Sequence, residues 1–145
     1  MTRQISSYMT ADHRRCDEVF SALEKCVMEK EFDAAEATYA AFQNDFLAHF
    51  RMEEEVMFPD IEGRTGMVGG PTQVMRMEHE QMRHVIAQMG VDLQKGDYDH
   101  FLGLAETFII LVQQHNMKEE QILYNMADQI LADVETSVVE RMKAL

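Results

Sequence analysis

The strongest constraint on the fold of this 145-residue chain is a short segment that it contains twice. Residues 49–59 read HFRMEEEVMFP, and residues 115–125 read HNMKEEQILYN. Each has a histidine, a glutamate four residues later and a second glutamate directly after it. A shift of 66 residues (49 to 115) aligns the two segments without a gap. The same shift aligns two acid–histidine pairs, Asp12-His13 and Glu78-His79. Two helical hairpins related by duplication can close into a four-helix bundle with approximate two-fold symmetry.

One glycine-rich linker separates the two copies. The segment EGRTGMVGGP is bracketed by Pro59 and Pro71, the two prolines of the chain. Glycine and proline in this density end helices and form loops. We therefore predict a single domain over residues 1–145, with halves at residues 1–62 and 71–131 related by the repeat.

Each half contains one shorter break, near residues 30–33 and near residues 95–99. Asp33 and Asp97 are the expected N-caps of the helices that follow these breaks. Apolar residues recur every three or four positions and strand signals are absent, which favours helices throughout. The tail at residues 135–145 is expected to add a short helix packed on the bundle. The predicted fold is an all-α, antiparallel up-down four-helix bundle with a short C-terminal helix.

Apolar spacing predicts which residues share the buried face of each long helix. Steps of three and four residues place one histidine in an otherwise largely apolar row on every helix. The rows are Met9-His13-Cys16-Phe20-Leu23, Phe42-Phe46-His49-Glu53-Val56, Met75-His79-Met82-Ile86-Met89 and Phe108-Val112-His115-Glu119-Ile122. Four histidines and two glutamates are thus predicted to face the core.

Six ionisable side chains on buried rows require a stabilising partner. A lone carboxylate in an apolar interior costs on the order of several kcal/mol or becomes neutral. A single buried histidine is more often a hydrogen-bonded core residue than a ligand. Six groups in duplicated positions favour a metal centre, because a cation offsets the carboxylates and neutral imidazoles donate lone pairs. Nitrogen and oxygen ligands without cysteine suit first-row metals, iron above all. The predicted metal ligands are His13, His49, Glu53, His79, His115 and Glu119.

Composition restricts the partners and the compartment. The net charge of −13 argues against nucleic acid and anionic membrane surfaces as partners, since both repel an acidic protein. No apolar run is long enough to span a membrane, and the N-terminus lacks the apolar stretch of a signal peptide. Cys16 and Cys26, ten residues apart on one predicted helix, are too distant for a disulfide. Free thiols suit a reducing compartment, and we expect a cytoplasmic protein.

The repeated segments, together with the two acid–histidine pairs, resemble the hemerythrin-like family, also called the HHE cation-binding domain. The resemblance covers nearly the whole chain, in order, on the four predicted helices. It implies two non-haem iron ions joined by an oxo or hydroxo bridge. By the same resemblance, His13 and His49 would hold one iron and His79 and His115 the other. Glu53 and Glu119 would bridge the two.

The chain departs from the oxygen-carrying members of that family at one position. Those proteins have a further histidine four residues after the one that corresponds to His79, whereas this chain has Arg83, a variant found among bacterial relatives. His84, five residues after His79, should point away from the buried row. Arg83 aligns with Asp17 in the repeat, so a pair between them and separate surface roles both stay open.

Four further residues near the predicted ligands have two interpretations each. Glu54 and Glu120 could orient imidazoles, but solvated acids are the expected reading. Tyr8 and Tyr124 could donate a hydrogen bond to a bound oxygen species or serve only as core aromatics. His100 has no histidine counterpart and is expected to be exposed.

The resemblance implies a function at the iron centre. The first expectation is a protein that binds or senses O2 or NO. The alternative is an enzyme that consumes peroxide or nitric oxide, which the missing third imidazole favours. Donation of iron, or repair of iron centres under stress, is a third role. It is reported for longer relatives with an extra cysteine-bearing domain at the N-terminus, which we expect this chain to lack.

Overall fold

The computed structural model describes residues 3–145, in which long antiparallel helices account for most of the chain. Seven α-helices occur in this part: α1 (Gln4–Met28), α2 (Phe32–Met52), α3 (Phe58–Thr65), α4 (Pro71–Lys95), α5 (Tyr98–Lys118), α6 (Tyr124–Ile130) and α7 (Glu135–Lys143). Helices α1 and α2 form one hairpin, and α4 and α5 form the other. Between residues 3 and 145 there is no strand. The predicted all-α four-helix bundle is confirmed.

Two π-helical segments continue the second helix of each hairpin. Glu53–Met57 joins α2 to α3, and Glu119–Leu123 joins α5 to α6. The amide of Phe58 donates to the carbonyl of Glu53, and the amide of Tyr124 donates to that of Glu119, five residues back in both cases. Each π segment begins at one of the repeated glutamates, and such segments are frequent at functional sites.

The π segment changes which residues of the fourth row are buried. A backbone hydrogen bond to the carbonyl five residues back, instead of four, adds one residue to the helical turn. The buried face of the helix therefore moves by one position along the sequence. Ile122, predicted to be buried, is 57% exposed, whereas Leu123 and Tyr124 are buried. Its counterpart Val56 stays buried because α7 packs against the first π segment. The prediction that Ile122 is buried is therefore wrong. The two halves differ here because α7 packs more extensively against the first π segment than against the second.

The predicted breaks lie at residues 29–31 and 96–97, and one of the two predicted caps is wrong. Gly96 adopts φ 71°, a left-handed conformation that favours glycine after a helix. The side chain of Asp97 then accepts from the amide of His100 at 3.2 Å, as predicted. Asp33 instead lies in the first turn of α2. The repeat explains this error, because residue 31, a glutamate, is the counterpart of Asp97 (97 minus 66) and occupies the N-cap position.

Two apolar clusters fill the bundle, one toward each end. The first surrounds Met9, Met57 and Phe58 and includes α7. The second is rich in phenylalanine and includes Phe42 and Phe108. Each predicted histidine lies along its helix between a residue of one cluster and a residue of the other. The polar layer is thus enclosed by apolar side chains above and below.

Helix α7 covers the end of the first half. Val138, Val139 and Met142 are buried against the bundle, and Arg141 pairs with Asp60. Lys143 Nζ lies 5.5 Å from the centroid of the Tyr8 ring. The predicted C-terminal helix is confirmed. None of the helices within residues 3–145 combines the length and hydropathy needed to cross a membrane.

Candidate metal centre

Four imidazoles and two carboxylates converge in the middle of the bundle. His13 lies on α1, His49 on α2, His79 on α4 and His115 on α5, while Glu53 and Glu119 begin the two π segments. All six residues are at most 3% exposed. The structure therefore brings all six predicted residues together.

The six residues form two clusters that share both carboxylates. His13 and His49 form position 1 with Glu53 and Glu119, and His79 and His115 form position 2 with the same glutamates. Within each cluster the potential ligand atoms lie within 4.8 Å of one another. The ring centroids are 4.6 Å apart in the first histidine pair and 4.9 Å apart in the second.

Each shared carboxylate directs one oxygen to each position. Glu53 Oε2 lies 3.4 Å from His49 Nε2, and Glu53 Oε1 lies 2.9 Å from His79 Nε2. Glu119 Oε1 lies 3.0 Å from His13 Nε2, and Glu119 Oε2 lies 3.2 Å from His115 Nε2. This divided geometry is the one expected of carboxylates that bridge two cations.

A second layer of carboxylates holds the outer nitrogen of every imidazole. The Nδ1–carboxylate distances are 2.8 Å for His13 to Glu120, 2.7 Å for His49 to Asp12, 2.5 Å for His79 to Glu54 and 2.8 Å for His115 to Glu78. An ionised carboxylate only accepts, so each imidazole donates through Nδ1 and turns Nε2 inward. Metal-binding histidines are usually oriented in this way. The expectation that Glu54 and Glu120 are solvated acids is therefore wrong.

Several inward atoms lack a hydrogen bond. Glu53 Oε1, His79 Nε2, His115 Nε2 and Glu119 Oε2 are buried and unpartnered, although short distances separate them. Buried polar atoms without partners are rare in proteins, and each needs an explanation. A cation bound by these four atoms, after loss of any proton on the imidazoles, would give each of them a partner. The donor set of position 2 thus fits a metal ion.

A comparison with protein families agrees with this geometry. The model of the hemerythrin HHE cation-binding domain matches residues 4–127. The chain belongs to the hemerythrin HHE cation-binding domain family. Cation binding, typically of iron, is the property shared by this family. No curated protein and no solved structure matches the chain.

Tyr124 places one hydroxyl group inside position 1 of this HHE domain. The hydroxyl donates to Glu53 Oε2 at 2.6 Å and lies 3.0 Å from His13 Nε2 and 3.3 Å from His49 Nε2. Burial, together with the charges of Glu119 and Glu53, raises the pKa of Tyr124 well above its usual value. Tyr124 is thus a protonated donor and more than a core aromatic.

Three other candidates lie outside the centre. Tyr8 is half-buried on α1, with its ring near Lys143. His84 is exposed, in agreement with its predicted direction. His100 is also exposed and bonds to Asp92 at 2.7 Å.

Arg83 acts on the second layer of position 2. Its Nη2 donates to Glu54 Oε1 at 2.7 Å, and its Nη1 donates to Glu80 at 2.5 Å. Within residues 3–145 no hydrogen bond or ion pair joins Arg83 to Asp17, so the pair across the site is absent from the described structure. Sequence spacing could not identify Glu54 as the partner, because the two residues lie on different helices.

Metal binding should release protons. Burial lowers the pKa of His49, but the charge of Glu53 and the bond to Asp12 raise it more, to about 10. For His115 burial is likewise outweighed, mainly by the charge of Glu119, and the pKa is about 9. Both imidazoles are therefore protonated in the metal-free protein near neutral pH. A metal needs their lone pairs, so loading should release protons from both imidazoles and should tighten as the pH rises.

Calorimetry with cobalt(II) in buffers of different ionisation enthalpy measures this release directly. A binding enthalpy that is the same in all buffers would contradict the expectation, since it would mean that no proton leaves. The same titration of His49→Ala should release about one proton fewer.

Proposed function

We propose that this HHE domain is a non-haem di-iron protein that binds O2 or NO at positions 1 and 2. The observation that carries the proposal is the division of Glu53 and Glu119, each with one oxygen toward each histidine pair. Two carboxylates that face two imidazole pairs in this way are suited to a pair of cations. Histidine and carboxylate donors without cysteine favour iron among the first-row metals.

The protein residues leave room for an external ligand. Each position has two imidazoles and two carboxylate oxygens, four donors for an ion that accepts up to six. Bound ferrous iron would supply the electrons and the open positions that O2 and NO require. The protein supplies orientation through Glu120, Asp12, Glu54 and Glu78, and it excludes water through the apolar clusters on both sides.

Burial restricts the ligand to small molecules. The six residues are at most 3% exposed, and the apolar clusters adjoin them directly. A diatomic molecule can reach such a centre through fluctuations in side-chain packing, whereas an organic substrate would require the helices to separate. This favours O2 and NO over larger substrates.

Optical spectroscopy after anaerobic reduction tests the proposal. Iron-loaded, reduced protein should change its visible spectrum on addition of O2 or NO. The change should be complete after one or two ligand molecules have been added per iron pair. Zinc-loaded protein is the matched control, because zinc has the same charge but no redox chemistry. An iron-loaded, reduced sample whose spectrum is unchanged by both gases would refute the proposal.

Consumption of peroxide or NO is the second candidate, and Tyr124 favours it. In this alternative a reacting oxygen would bind at position 1, and the hydroxyl of Tyr124, which holds a proton there, would donate to it. Loss of this donor in Tyr124→Phe should lower steady-state consumption about 100-fold, the lower range for general acid catalysis. Tyr8→Phe, which removes a hydroxyl outside the centre, should keep the wild-type rate. Turnover that is equal in wild type and Tyr124→Phe would count against an enzymatic role for this tyrosine.

A further inference from the structure

The internal repeat allows the surroundings of the two positions to be compared residue by residue. Under the 66-residue shift the predicted ligands align with identical residues, whereas four neighbouring positions align with residues of a different type. The corresponding pairs are Tyr124 with Phe58, Asn116 with Phe50, Asp17 with Arg83 and Thr10 with Arg76. The two positions are therefore chemically different although their ligands are the same.

We propose that the diatomic ligand binds at position 2, between Phe50 and Phe58, while the hydroxyl of Tyr124 closes position 1. This assignment rests on the proposed di-iron function and specifies where its ligand goes. Tyr124 and Phe58 are the residues that determine the choice.

Position 1 already contains a polar group. The Tyr124 hydroxyl is within 3.3 Å of an atom in all four residues of that position. Its phenol ring stacks on His13, with centroids 5.3 Å apart. A cation at position 1 would take over these four donor atoms, and the Tyr124 oxygen would be the nearest further donor to it. A diatomic ligand at position 1 would therefore have to compete with this hydroxyl.

Position 2 has apolar walls and unpartnered donors. His79 stacks on Phe50 at a centroid distance of 4.3 Å and on Phe58 at 5.9 Å. Phe58 lacks the hydroxyl that Tyr124 provides in the other half. All four of the unpartnered inward atoms belong to position 2. No protein hydroxyl in the described residues lies among these donor atoms, so none would compete with a diatomic ligand at position 2.

Two guanidinium groups lie against the rings that line position 2. The guanidinium carbon of Arg83 is 5.3 Å from the centroid of Phe50, and that of Arg76 is 5.3 Å from the centroid of Phe58. Each guanidinium thus lies next to a ring that stacks on His79. A reduced metal held at position 2 would supply electron density to a diatomic ligand, and the two guanidinium groups would stabilise the resulting negative charge. The corresponding residues of position 1, Thr10 and Asp17, are not cations. The guanidinium on that side, Arg15, pairs with Asp12 and Asp45.

Exchange of the hydroxyl between the two positions tests the assignment. The measurement is titration of anaerobic, reduced, iron-loaded protein with NO, which yields the stoichiometry and the affinity. Wild type should bind one NO per iron pair. Phe58→Tyr should close position 2 and weaken NO binding about tenfold or more, the scale of changes next to metal ligands. Tyr124→Phe should open position 1 and add a second NO.

Cobalt(II)-loaded protein supplies a readout that does not depend on NO. Its visible absorption intensity reports coordination number, so Tyr124→Phe and Phe58→Tyr should change the spectrum in opposite directions. Tyr8→Phe is the control and should leave it unchanged. The double variant Phe58→Tyr with Tyr124→Phe retains one buried hydroxyl and should again bind one NO, which protects the test against a folding defect in a single variant.

The possible results separate the assignment from the proposed function. Iron content is measured first, and a folded chain without iron overturns the di-iron proposal. Two irons with NO affinity unchanged in Phe58→Tyr, or NO binding abolished in Tyr124→Phe, overturn only the assignment to position 2.

Discussion

Glu119→Ala should reduce the iron content from the proposed coupled pair to at most a single, uncoupled iron. Glu119 is fully buried and directs Oε1 to His13 and Oε2 to His115. Its removal takes one donor from both positions at once and removes one of the two carboxylates that connect them. The same result is expected for Glu53→Ala, because Glu53 divides its oxygens in the same way.

Iron analysis and Mössbauer spectroscopy measure this effect. Glu55→Ala is the matched control, since Glu55 lies two residues after Glu53 but is exposed and pairs with Arg51. It should retain both irons and their coupling. Glu119→Gln keeps the size of the side chain and guards against a packing defect. A coupled pair that persists in Glu119→Ala would show that this carboxylate does not bridge.

The second large effect is expected from changes in the carboxylates that accept hydrogen bonds from the Nδ1 atoms of the histidines. Glu54→Gln and Glu120→Gln should each weaken metal binding by about 10–100-fold, the cost typical of removing the partner of a metal-binding histidine. Although partial burial raises the pKa of Glu54, the bonds to His79 and Arg83 outweigh it and lower the pKa to about 2. Glu54 is thus ionised at neutral pH and a strong acceptor for His79 Nδ1. Glutamine keeps the shape but removes the charge.

Competition with a chromophoric chelator measures these affinities. Glu80→Gln is the control at position 2, because Glu80 pairs with Arg83 on the exposed side and touches no imidazole in the described structure. Glu80→Gln should change the metal affinity by no more than about threefold, as expected for the loss of an exposed ion pair. Equal affinities in Glu54→Gln, Glu80→Gln and wild type would mean that Glu54 does not orient His79.

Helical periodicity was sufficient to predict which side chains converge. His49 and Glu53, like His115 and Glu119, are four residues apart, a spacing that keeps both on one face of a helix. The apolar residues of the same rows show that this face is the buried one. The four-helix fold followed from the duplication of these rows.

The π segments could not be predicted in this way. Periodicity of 3.6 residues assumes one uniform helix, and the added residue after Glu119 moved Leu123 and Tyr124 into the core in place of Ile122. The contacts of Tyr124 with His13 and His49 depend on that change. The aromatic residues that end the repeated segments were the available signal, since they pointed to Phe58 and Tyr124 as counterparts.

Contacts between helices were the other limit. Glu54 orients His79 on α4, and Glu120 orients His13 on α1, across sequence separations of 25 and 107 residues. Nothing in the local spacing indicates these partners. The acids next to the ligands were visible in the sequence, but their direction required the packed bundle.

The most direct test of the account is the iron content of purified, folded protein together with its Mössbauer spectrum. We expect two irons per chain, with spectra that show magnetic coupling between them. Folded protein that takes up no iron, or that holds irons without coupling, would contradict a centre in which Glu53 and Glu119 join two metal positions.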